Sequence, residues 1–180
     1  MSMLNTPPKR FRLLSWAIRI GVTVIVVGSL WPQMPNILRY AEQVGFHPHT
    51  PDLTLFASIP PQVKLHIAAA VAAFVIGLVI LLQPKGSPLH KTLGWAWVIA
   101  MAATAISSFF ITGLNGNSLS FIHLISGWTV VALPLGIYAI RNRQVLMHKR
   151  AMTSLFVGGL VIAGALTFIP GRLMYRLFFG

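Results

Sequence analysis

Four of the six histidines fall on a regular grid, and imidazole is the side chain of this sequence best suited to bind a metal or carry a proton. His66 and His90 lie 24 residues apart, and His123 and His148 lie 25 apart. The offsets from the first set to the second are 57 and 58 residues. Each histidine stands at the opening of a long apolar run. A repeat of this period predicts a duplicated helical hairpin with one histidine near the start of each helix. The first helices of the two hairpins then run the same way, so His66 and His123 share one end of the bundle and His90 and His148 the other.

Facing pairs of neutral imidazoles at the two ends are what axial ligation of two b-type haems requires, and helical bundles are where such groups sit. The expected cofactor is therefore haem b, with His66, His123, His90 and His148 as ligands of the haem iron. Its chemistry would be electron transfer from one membrane face to the other, with quinol as a candidate donor. Lys91, Lys149 and Arg150 adjoin the second histidine pair and are candidate partners for haem propionates. Lys64 and Arg172 stand near the first pair. Small residues such as Ala69, Ala73, Gly94, Gly127 and Gly159 offer room for a macrocycle, and Trp95, Trp97 and Trp128 could pack on a flat ring. Each feature also has a plain structural reading: small residues serve close helix packing, and Trp, Lys and Arg at helix ends mark the membrane interface.

The elements that must position these residues are membrane spans. The 180 residues are 56% hydrophobic and only 9% charged, with a mean hydropathy of +0.76. A soluble domain carries about a quarter charged residues, so the sequence predicts an all-α integral membrane protein. With no cysteine, disulfides, iron–sulfur clusters and thiol catalysis are excluded. Glu42 and Asp52 are the only acidic residues, which removes carboxylate-pair chemistry and a carboxylate proton relay. The net charge of +12 does not point to nucleic acid, because the cations cluster at the ends of apolar runs.

Five transmembrane helices are expected. The first covers about 13–31, after the basic Lys9, Arg10 and Arg12, and is read as an uncleaved span with Arg19 snorkelling to the interface. Residues 1–60 thus form one region, a span plus a long extracytoplasmic loop rich in proline. Within that loop 35–44 reads as a short interfacial helix, and His47-Pro48-His49 is a weak metal motif. Residues 61–180 form the second region, a four-helix bundle of two repeats, 61–113 and 119–171, with spans over 62–82, 89–112, 121–140 and 150–169. Each has close to the ~20 apolar residues that cross a bilayer core. Pro84 to Pro88 and Asn115 to Ser118 make tight turns. The distribution of Lys and Arg puts the N-terminus in the cytoplasm and the C-terminus outside a bacterial inner membrane. Pro170-Gly171 turns the tail along the membrane surface.

Two further readings stand beside electron transfer. The chain could be a cofactor-free accessory subunit of a larger membrane complex, its histidines serving as hydrogen-bonding links between helices. Transport is disfavoured by the lack of an intramembrane carboxylate; Thr104, Ser107 and Ser108 are the only mid-membrane polar cluster found.

The motifs Leu65-His66, Leu89-His90-Lys91-Thr92-Leu93-Gly94-Trp95, Ile122-His123-Leu124 and Met147-His148-Lys149-Arg150-Ala151-Met152, with the closing Pro170-Gly171-Arg172, resemble a family of bacterial multi-pass membrane proteins of unknown function over about 55–180. A looser similarity, carried by His123 with Ser126-Gly127-Trp128, is to transmembrane di-haem cytochromes b. It implies the same pairing, His66 with His123 and His90 with His148. The first two histidines are closer together here than in that group.

Overall fold

The computed structural model describes residues 31–111 and 121–180. The first span, apart from Trp31, and the turn at 115–118 lie outside the described residues. The described chain is helical, with no strand among its residues. A short 3-10 turn, Trp31–Gln33, leads into α1, Met34–Val44, and then α2, Leu53–Ser58. The long helices are α3, Pro61–Leu82, α4, Pro88–Ser108, α5, Phe121–Arg141, and α6, Val145–Leu166. A short α7, Leu173–Phe178, closes the chain. Among the described residues α3, α5 from His123 onward, and α6 are long and apolar enough to cross a membrane. Helix α4 matches them in length but carries His90, Lys91, Thr92, Thr104, Ser107 and Ser108.

Local chemistry explains the boundaries. Pro61 and Pro88 occupy first helical turns, where their missing N–H is not needed. The Ser87 hydroxyl caps α4 by accepting from the His90 amide at 3.1 Å. At its far end α4 stops at Ser108 rather than continuing to 112. There Phe109, Phe110 and Ile111 donate to Ile106, Ser107 and Ser108 three residues back, a tightening typical of a helix end. Helix α6 begins at Val145, five residues earlier than the apolar run at 150 predicts. The cause is the closure of α5: the Gln144 amide donates to Ala139 O at 2.8 Å and the Arg143 amide to Ile140 O at 3.1 Å. That double bond pattern ends a helix in one residue of left-handed backbone. Arg143 takes that position with φ 60°, where glycine would sit at lower cost.

Helix α3 packs on α4, α4 on α5, α5 on α6, and a π-helical segment of α6, Phe156–Ile162, returns to α3. The four long helices thus close a ring, with α3 and α5 on one diagonal and α4 and α6 on the other. Its interior is filled by Ala73, Trp97, Met101, Leu133, Leu155 and Phe156. Gly77 makes this packing possible: a Cβ there would stand 2.6 Å from the Phe156 ring and 2.8 Å from Trp97 Nε1. The outward faces are apolar, with Val71, Val75, Leu78, Ile99, Val131 and Leu135 all exposed, as surfaces that meet lipid must be.

One end of the ring wears a cap. Helix α1 is strongly one-sided; its Tyr40 lies edge-on to Tyr175 and beside Gly171, whose φ of 87° turns the chain into α7. The amides of His47, His49 and Asp52 donate to the carbonyls of Phe179, Phe178 and Leu177 at 3.0–3.2 Å. Phe46 stacks on Phe179, and the Tyr175 hydroxyl donates to Gly45 O. The tail therefore folds against residues 34–58, burying Tyr175 and Leu177.

Candidate functional site

The grid histidines lie at the two ends of the ring, His66 and His123 at one and His90 and His148 at the other. At the capped end, His66 on α3 reaches across to the last turn of α4, its Nδ1 3.0 Å from Thr104 O and 3.1 Å from Ser107 Oγ. A carbonyl oxygen can only accept, so Nδ1 carries the proton and Nε2 keeps its lone pair. His123, buried in the first turn of α5, lies 6.1 Å ring to ring from Phe109, just past the end of α4. His66 and His123 thus flank the Thr104–Phe109 segment.

The second pair lies at the other end. His148 sits in the first turn of α6, and its Nδ1 is 2.9 Å from Gly136 O on α5. The same reasoning places its proton on Nδ1 and leaves Nε2 with its lone pair. His90, in the first turn of α4, lies in the neighbourhood of His148 and Lys85. Its Nδ1 is buried without a hydrogen-bond partner among the described residues.

Between the ends lies a layer of hydroxyls that sequence reasoning treated only in part. The Ser108 hydroxyl donates to Ser126 across α4 and α5. Thr104 and Thr129 return their protons to Ala100 O and Ile125 O at 2.8 and 2.9 Å, the usual way a membrane helix satisfies a hydroxyl. Thr104, Ser126 and Thr129, with Met101, Gly159 and Ala163, line a cavity of about 60 Å³. The cavity borders the π segment, which contains Gly158-Gly159. The i, i+3 spacing of Ser126 and Thr129 on α5, opposite Thr104 and Ser108, is the sequence signal for this layer.

Other expected participants fall elsewhere. Trp97 is in the core, whereas Trp95 and Trp128 face outward. Gly94, Gly127 and Gly158 have no neighbouring atom within 4 Å of a Cβ position, so they make no close helix contact. Lys64 donates to Ala57 O at 2.8 Å and lies over the Phe56 ring. Lys91 and Lys149 are exposed beside His90 and His148, while Arg150 lines an outer groove with Arg143. His49 faces Thr50 O and Gly180 O. No group of three or more potential metal ligands occurs among the described residues.

No curated protein and no solved structure shows significant similarity to the chain. A family model described as "Predicted membrane protein (DUF2306)" matches residues 63–177, which takes in all four grid histidines and the hydroxyl layer. The chain belongs to this family of membrane proteins.

Proposed function

We propose that the chain is a transmembrane electron carrier that holds b-type haem between its histidine pairs, with five spans of which the last four form a duplicated hairpin bundle. The observation that supports this reading most is the state of the rings. At each end of the bundle one imidazole, His66 or His148, gives its Nδ1–H to a backbone carbonyl at 3.0 or 2.9 Å. That bond orients a metal-bound imidazole and raises its basicity. His66 with His123 and His90 with His148 are the ligand pairs, on the two diagonals of the ring. Haem, when bound, supplies one-electron chemistry at each membrane face. Lys91 and Lys149 neutralise propionates at the basic end. Quinol is the candidate donor and a bacterial inner membrane the expected setting, with the N-terminus in the cytoplasm.

The donor set fits a bis-imidazole iron. The interior cavity of about 60 Å³ is far smaller than a tetrapyrrole, so haem binding requires Trp97, Met101 or the Thr104–Phe109 segment to give way. That closed interior also favours a second reading, a cofactor-free accessory subunit whose histidines tie α3 to α4 and α5 to α6. A reduced-minus-oxidised visible spectrum of the protein purified from haem-replete cells separates the two. Electron transfer predicts a b-type α-band, with one haem lost in His66→Ala and another in His148→Ala. A flat spectrum overturns it and leaves the accessory role.

A further inference from the structure

The end of the bundle that carries His90 and His148 gathers Lys91, Arg141, Arg143, Lys149 and Arg150, all exposed. None of the five makes a side-chain hydrogen bond or ion pair within the described residues. Lys85, by contrast, is spent on its own helix, its ammonium donating to Ile80 O, Leu81 O and Gln83 O at 2.8–3.1 Å. The only carboxylates of the chain, Glu42 and Asp52, belong to the capped end. Five cations therefore face outward with no internal counter-charge.

Their arrangement is specific at the turn between α5 and α6. Arg143 and Arg150 line a shallow groove of about 710 Å³ together with Gln144, Val145, Leu146 and Met147. The three apolar side chains are 61%, 60% and 58% exposed, directly beside the two guanidinium groups. Arg143 occupies the left-handed position that glycine fills at least cost, so a charged side chain is kept there against backbone preference. A small soluble anion would have no use for the apolar run. A phosphodiester joined to acyl chains uses both: guanidinium pairs phosphate through paired N–H donors, and the apolar residues meet glycerol and acyl carbon.

We propose that the α5–α6 turn is a binding site for an anionic phospholipid, its phosphate held by Arg143 and Arg150 and its apolar part against Val145, Leu146 and Met147. The site does not depend on haem. Native mass spectrometry of the full chain in detergent, with phosphatidylglycerol or phosphatidylcholine added, tests it. The native chain should retain phosphatidylglycerol in preference. The double substitution Arg143→Gly with Arg150→Gln should lower that retention about fivefold per cation removed. Glycine accepts the Arg143 backbone without strain, so the turn is kept, and Arg176→Gln at the capped end should change nothing. Equal retention of both lipids by the native chain, or undiminished retention in the double variant, overturns the proposal. Displacement of the lipid by an equal concentration of inorganic phosphate would show a bare anion site and overturn the lipid assignment.

Discussion

The two ends of the bundle differ in almost everything except their histidines. The capped end holds both carboxylates of the chain and a tail zipped to residues 45–52, and the hydroxyl layer lies beneath it. The basic end is bare: five outward cations, an apolar turn and a strained Arg143. Packing divides the same way. Trp97 and Phe156 close on Gly77 toward the basic end, while a small cavity at Gly159 and Ala163 lies in the half nearer the cap. Histidines at matching steps of the spacing thus meet different surroundings. His66 and His148 use the same nitrogen on the same kind of acceptor, one on α3 at the capped end and the other on α6 at the basic end.

The sharpest way to break this contrast is to wedge the tight half apart. Gly77→Ala puts a methyl into the Phe156 ring and Trp97, and overpacking of this kind costs about 1–3 kcal/mol. The thermal midpoint in detergent should fall by several degrees. Gly94→Ala, which meets nothing within 4 Å, should not lower it. At the cap, Tyr175→Phe removes the hydroxyl bond to Gly45 O, worth about 1 kcal/mol. Hydrogen exchange should quicken at the amides of His47, His49 and Asp52 while the interior of α3 stays protected. In the hydroxyl layer, Ser126→Ala deletes the Ser108 link; bonds between membrane helices average about 0.6 kcal/mol, so a denaturation titration in mixed micelles should move only slightly.

The smallest effect is acid-dependent and confined to the cap. Asp52 accepts from the Thr54 hydroxyl at 2.6 Å and from the Thr54 and Leu55 amides at 2.9 and 3.0 Å. The Thr54 hydroxyl first, then the Leu55 amide, hold its carboxyl below its ordinary value. The cap's contribution is therefore complete above the ordinary aspartate pKa and is lost as pH falls through the lowered folded value. Exchange at Thr54 and Leu55 should rise only in that acidic range, and Asp52→Asn should flatten the response.

The sequence made the spans legible because apolar runs between prolines and glycines have few ways to fold in a bilayer. Two expected spans, 62–82 and 121–140, match α3 and α5 to within a residue at each end. Helix α6 was harder: Met147-His148-Lys149-Arg150 reads as a loop, yet the closure at Ala139 and Ile140 lets the helix restart at once. The end of α4 was hidden because Ile106 to Ile111 stays apolar apart from two serines that bond to their own helix. The docking of the tail had no local signal at all, since the pairing of His47 with Phe179 joins residues far apart in sequence. Histidine positions were plain from spacing, but the turn of each ring depended on which carbonyl it met.

Low-temperature electron paramagnetic resonance of the oxidised protein, purified from haem-replete cells, tests the haem reading most directly. Ligation by the histidine pairs predicts a low-spin ferric signal of bis-imidazole type. His66→Ala or His123→Ala should abolish one component, and His90→Ala or His148→Ala the other. A protein without a ferric haem signal, or one whose signal survives all four substitutions, would contradict the account.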